Sequence, residues 1–126
     1  MEFSRKDLYL LLNAPKPLRL AMADLSEAPL MGADLERAIL IEANLAAAQL
    51  DGANPVEANL ENAKMLRTDL RGANLRGAYL FNADLSSARL WTANLCRANL
   101  QKAKLGWADL HGADLTGADL RGAYLY

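Results

Sequence analysis

The stretch ADLHGADLTGADLRGAYLY (108–126) repeats alanine, usually an aspartate, leucine and two looser positions every five residues. Neither regular secondary structure has that period. An α-helix turns about 100° per residue, so five residues overshoot one turn by about 140° and the apolar positions wind around it. Side chains alternate along a strand, so an odd period sends successive leucines to opposite sides. The beat runs unbroken back to Leu25. Centred on positions 25, 30 and onward to 125 there are 21 units, with leucine at 19 centres and Pro55 and Met65 at the other two. Alanine stands two residues before the centre in 20 of the 21 units, Thr68 being the exception, and Asp or Asn stands one residue before it in 13.

A chain with this pattern has to turn once in every unit. Ala-x-Leu is then a short extended side with both apolar side chains inward, and the next two residues form the corner. Seven of the eight glycines lie two residues after a centre, the slot where a type II turn needs positive φ. Sides and corners closing on themselves make a polygonal coil. Four units give a square of 20 residues stacked on the next at about 4.8 Å.

Units such as ADLTG (113–117) and ANLRG (73–77) resemble those of the pentapeptide repeat proteins, and the resemblance covers residues 21–126. It implies an all-β solenoid: a right-handed quadrilateral β-helix of about five coils, about 25 Å tall by the strand spacing. Met65 is a flexible substitute for leucine. Pro55 lacks a backbone donor, which predicts a kink or an unpaired carbonyl on the adjacent coil.

Ahead of the repeat, FSRKDLYLLLNAPKP (3–17) predicts one short helix. Ser4 and Asp7 form a capping-box pattern, Phe3 and Leu8 a hydrophobic staple, and Pro15 and Pro17 end the helix. Residues 1–19 are thus expected to be a capping helix and proline-containing linker over the open end of the first coil, and residues 20–126 the β-helix.

The totals exclude several function classes. The net charge is −1 over 126 residues, which exerts no overall pull toward nucleic acid. No apolar run approaches the ~20 residues of a membrane span, and LYLLL (8–12) is too short for a signal-peptide core. A cytoplasmic protein is expected. One cysteine, Cys96, rules out an internal disulfide framework and a cysteine-based metal cluster. His111 is the single histidine; it falls on a different side of the square from Cys96 and nearly a coil away, so no Cys–His pair forms. No catalytic or phosphate-binding motif is present. No enzyme activity, cofactor, metal or small-molecule substrate is expected.

The exterior reads as columns of residues 20 apart. Asn44, Lys64, Asp84 and Lys104 suggest an ion-pair ladder, Asn54, Asn74 and Asn94 an amide ladder, and Arg37 with Glu57 and Asp51 with Arg71 possible pairs. Arg71, Trp91 and His111 form a column that is either a self-satisfied cation–π stack or a partner hot spot. Ile39, Ile41, Tyr79 and Phe81 face outward on another side, as scattered apolar residues or as a docking patch. Residues 20–62 carry net −7 and residues 63–107 net +6, but the charges of each zone lie on all four faces. Duplex binding wants its bases on one side, so nucleic acid is an unlikely partner, and no membrane contact is expected. Tyr124, Leu125 and Tyr126 lie on the last rung with no helix behind them, leaving an open β edge. The expectation is an interface there, most simply a tail-to-tail homodimer, within a non-catalytic scaffold for protein–protein interaction or self-association. Pentapeptide repeat proteins include DNA-mimicking inhibitors of DNA gyrase, which makes mimicry the alternative, although the basic belt departs from an acidic rod. The resemblance also places the chain among the short bacterial, especially cyanobacterial, members without assigned roles.

Overall fold

A computed structural model describes residues 3–126. Its one helix, α1 (Arg5–Leu12), starts as the sequence demands. The Ser4 hydroxyl accepts from the Asp7 N–H at 3.1 Å, and the Asp7 carboxylate accepts from the Ser4 N–H at 3.0 Å. Leu8 is buried with Leu18, Leu20 and Leu25, and Phe3 packs against the same cluster. The helix therefore closes the first coil, and the Lys16 ammonium ties the linker down by donating to the Asp34 carbonyl at 2.9 Å.

From Arg19 onward the chain is a stack of four-sided turns. With one exception, each outward residue next to a centre pairs in parallel with the residue 20 positions on: Arg19 with Ile39, Ile39 with Asn59, and so to Lys104 with Tyr124. The sides are so short that each contributes a single bridge residue between bends. The unit 43–47 shows how every backbone donor is used. The Ala43 N–H closes the turn on Leu40 O at 3.0 Å, and the Asn44 N–H reaches back one coil to Ala23 O at 2.9 Å. The Leu45 and Ala47 N–H groups reach forward to Lys64 O and Leu66 O at 2.7 and 2.8 Å. The remaining N–H, that of Ala46, is taken by the Asn44 side chain at 3.0 Å.

That last bond explains the Asp and Asn preference. Of the 13 such residues beside a centre, 12 accept the N–H two residues on. This is the local side-chain-to-backbone bond that favours these residues in turns. The exception is Asn54, which precedes Pro55 and reaches Asp34 at 3.4 Å instead.

All 21 corners have positive φ, seven at glycine and 14 at other residues. Glycine is therefore the least strained occupant of the slot rather than a requirement. The eighth glycine, Gly106, has a different reason: the Tyr126 carbonyl oxygen lies where its Cβ would stand. Inside, leucines and alanines form one continuous buried column, each leucine contributing about 1.5–3 kcal/mol. Met65 is fully buried among them. Thr68 is the single buried polar side chain among the described residues, and its hydroxyl donates to Leu45 O at 2.8 Å. At Pro55 the expected defect is present. No backbone donor reaches Asn74 O, and the Asn54–Asn74 bridge is missing from its column.

Candidate interaction surfaces

Outward side chains have no structural duty inside the column, so any recognition has to be built from them. Four groups stand out: two on faces, one at the end and one at Cys96.

On the first face the fourth coil presents Tyr79 and Phe81 as parallel rings, 6.2 Å apart at 11°, with the Lys102 ammonium 5.7 Å from the Phe81 centroid. Ile39 and Ile41 occupy the same two columns in the second coil, half-buried by their neighbours, with Asn59 and Glu61 in between. The isoleucines and the aromatic rings share a face but sit two coils apart.

On the second face Arg71, Trp91 and His111 do stack in one column, but Arg71 turns away from the indole. Its guanidinium grips Asp69 of its own turn, with Nη2 to Oδ2 at 2.7 Å and Nε to Oδ1 at 2.9 Å, so neither the expected cation–π contact nor the Asp51 pair forms. The Arg71 guanidinium holds the Asp69 carboxyl below its ordinary range. Trp91, 47% exposed, lies against Asp109, whose carboxyl is lowered first by the indole and then by the His111 N–H.

The last described coil carries Tyr124, Leu125 and Tyr126, exposed by 47%, 62% and 84%. The two tyrosine rings meet edge to face at 6.2 Å and 89°. Behind them Leu110, Leu115 and Leu120 are only partly covered. The N–H groups of Leu110, Gly112, Leu115, Gly117, Leu120 and Gly122, which would pair with a further coil, have no backbone partner.

The remaining expectations divide. Arg37 meets Glu57 at 3.2 Å. The Lys64–Asp84–Lys104 ladder stacks in backbone register only: Asp84 turns to the Ser86 hydroxyl at 2.6 Å. Asn74 and Asn94 cap backbone N–H groups instead of pairing with each other, and the amide contact forms between Asn62 and Asn82 at 2.8 Å. The Cys96 thiol faces Asp114, which pushes its pKa up, the wrong direction for a nucleophile. Among the described residues no group of three or more His, Cys, Asp and Glu could hold a metal ion. Among the described residues no helix is long and apolar enough to cross a membrane.

The pentapeptide repeats family, in eight copies, matches residues 19–54, 38–77, 56–91, 78–117 and 93–125. The chain belongs to the pentapeptide repeat family. Solved structures similar to this pentapeptide repeat protein include HetL, a pentapeptide repeat protein involved in heterocyst differentiation regulation from the cyanobacterium Nostoc sp. strain PCC 7120. It is 33% identical over 84% of this chain and 71% of HetL, with a TM-score of 0.48. The protein alr5209 from Nostoc PCC 7120 is 32% identical over 96% of this chain and 98% of its own, with a TM-score of 0.39. QnrB1, a plasmid-mediated fluoroquinolone resistance protein, has a TM-score of 0.64 at 22% identity over 81% of this chain and 60% of QnrB1, a likeness of fold. No curated protein is similar enough to this chain to count as a match.

Proposed function

We propose that this pentapeptide repeat protein is a non-catalytic, cytoplasmic scaffold whose C-terminal end docks a second copy. The coil is read as right-handed, in line with the preference of parallel strand connections. The observation that carries the docking is the asymmetry of the two ends. Helix α1 covers the first coil, whereas the last coil presents half-covered leucines, unpaired backbone donors and the Tyr124–Leu125–Tyr126 rung. An uncovered sheet edge of this kind is a template for pairing.

Light scattering of the full chain against Leu125→Glu tests this. At low micromolar concentration, too dilute for a weak side-by-side contact to form, the expected result is a dimer in the parent and a monomer in the variant, with unchanged circular dichroism. A parent that stays monomeric, or a dimer indifferent to Leu125→Glu, overturns it.

A second reading, mimicry of duplex DNA toward gyrase, is favoured by the net −7 of residues 20–62 and opposed by the net +6 of residues 63–107. A gyrase supercoiling assay decides: inhibition would replace the scaffold reading, and full activity is expected.

A further inference from the structure

The Tyr79 face has a symmetry of its own. Read coil by coil, its two outward columns run Ile39 and Ile41, then Asn59 and Glu61, then Tyr79 and Phe81. The apolar rows lie at equal heights above and below the polar one, about 10 Å apart by the coil spacing. Their flanks carry opposite charges. The exposed Glu36 and Glu42 border the isoleucine row, with Arg37 between them in sequence held by Glu57 of the next coil, whereas the exposed Arg76 borders the aromatic row and Lys102 lies over Phe81.

We propose that this face binds a second copy of this chain side by side and antiparallel, about a two-fold axis crossing the rod at the level of Asn59. That operation lays Ile39 and Ile41 of each copy on Tyr79 and Phe81 of the other, twice. It also sets Glu36 opposite Arg76 and Asn59 opposite its own mate, where each Nδ2 group is free to donate while each Oδ1 accepts the Glu61 N–H of its own turn. A parallel pairing in register would instead swap the two edges of the face, placing Glu36 against Glu42 of the other copy and leaving Arg76 against Asn82 with no acid to meet. Aromatic and aliphatic rows rimmed by complementary charge are the composition of a protein interface. The buried area is small: five coils of one face give roughly 800–1,000 Å² in total, below the standard interface. Glu61 also meets Glu61 of the mate at the axis, where like charges repel. The pair is therefore weak, forming at high local concentration. It rests on the self-association part of the proposed function but uses none of the same residues, so either contact can fail without the other.

Sedimentation equilibrium of the full chain up to about 1 mM tests it. The mass is expected to rise from 13.7 kDa toward twice that value in the Leu125→Glu background, which removes the end contact. Phe81→Glu and Ile41→Glu should each return the chain to monomer. Both positions point outward, so thermal melting should confirm that the variants still fold. Glu61→Gln should tighten the pair about threefold or more by removing the like-charge contact. In a Cys96→Ser background, Ile41→Cys with Phe81→Cys should give a covalent dimer on mild oxidation. The two positions are too far apart within one chain to bridge each other. A monomer throughout the series overturns the proposal. So does association that Phe81→Glu and Glu61→Gln leave unchanged.

Discussion

Replacing Pro55 by leucine should stabilise the protein, against the usual direction of core substitutions. At the neighbouring centres the leucine N–H pairs with the next coil, Leu50 to Asp69 O at 2.7 Å and Leu60 to Tyr79 O at 2.8 Å. Pro55 has no N–H, and Asn74 O is left without a backbone donor. The defect spreads to Asn54, which lies 3.4 Å from Asp34 instead of capping the N–H of Val56. Leucine restores one inter-coil hydrogen bond and frees Asn54 to make a second, each contributing about 0.5–1.5 kcal/mol. The larger side chain adds about 1 kcal/mol of burial, offset by about 0.4–1 kcal/mol because the unfolded chain gains freedom when proline is removed. The net gain is about 1–3.5 kcal/mol, roughly 4–14 °C in Tm for a chain of this size. Urea and thermal unfolding followed by far-UV circular dichroism measure it. The companion Leu75→Pro removes the Leu75-to-Asn94 bond of 2.7 Å and should cost about 3 kcal/mol or more. An unchanged or lower midpoint for Pro55→Leu, with the same urea dependence, would refute the assignment of this position as an interrupted inter-coil bond.

The corner geometry and the aspartates give two further predictions. Ala47 is exposed at φ 57. Ala47→Gly relieves a left-handed alanine at about 1–2 kcal/mol while adding about 0.5–1 kcal/mol of backbone freedom to the unfolded chain. The expected net gain is about 0.5–1 kcal/mol by urea unfolding, and a loss would show that the corner is unstrained. The carboxyls of Asp24, Asp69, Asp114 and Asp119 are held below the ordinary aspartate range first by the side chains of Ser26, Arg71, Thr116 and Arg121 and then by turn N–H groups. That of Asp109 is lowered first by the Trp91 indole and then by the His111 N–H. A lowered folded-state pKa means stability that is complete above the unfolded value and lost as pH falls through the folded one. Tm should therefore hold from neutral pH to about 5 and drop below about 4. Asp114→Asn should keep the cap and shrink that drop; an unchanged acid slope would count against it.

The inward half of each unit was legible in the sequence because it answers to geometry alone. A five-residue period with an inward Ala-x-Leu side admits little besides a turn in each unit, and the register never slips between Leu25 and Leu125. The capping box at Ser4 and the defect at Pro55 were legible for the same reason: each is set by whether a backbone donor finds an acceptor. The outward half was legible only as columns. Stacking predicted which residues are neighbours, but not which partner each would take. Arg71 could reach Asp51 one coil away, Trp91, or Asp69 in its own turn, and the planar fork found the carboxylate two residues back. The Asn74–Asn94 ladder failed because an amide beside a centre has a nearer obligation to the N–H two residues on. That obligation was the missed signal. Asp or Asn in 13 of 21 units marks a turn cap before it marks charge or recognition.

This division decides where recognition can be encoded. Inward alanines and leucines cannot vary without a cavity or a clash, and Asp and Asn beside the centre are committed to the corner. The free information lies in the residue after each centre and in the sides without a cap, such as Ile39 and Tyr79. Those uncapped positions leave an N–H exposed after the centre, at Ile41 and Phe81, and spend the slot on apolar surface instead. A position that forgoes its cap for an outward aliphatic or aromatic side chain gives up a local hydrogen bond for surface that stays partly open to solvent. Four sides replace the cap with an apolar residue: Pro29 in the first coil, Tyr124 in the last, and Ile39 and Tyr79. That Ile39 and Tyr79 share one face, two coils apart and under opposite flanking charge, is the physical reason to treat that face as a contact surface.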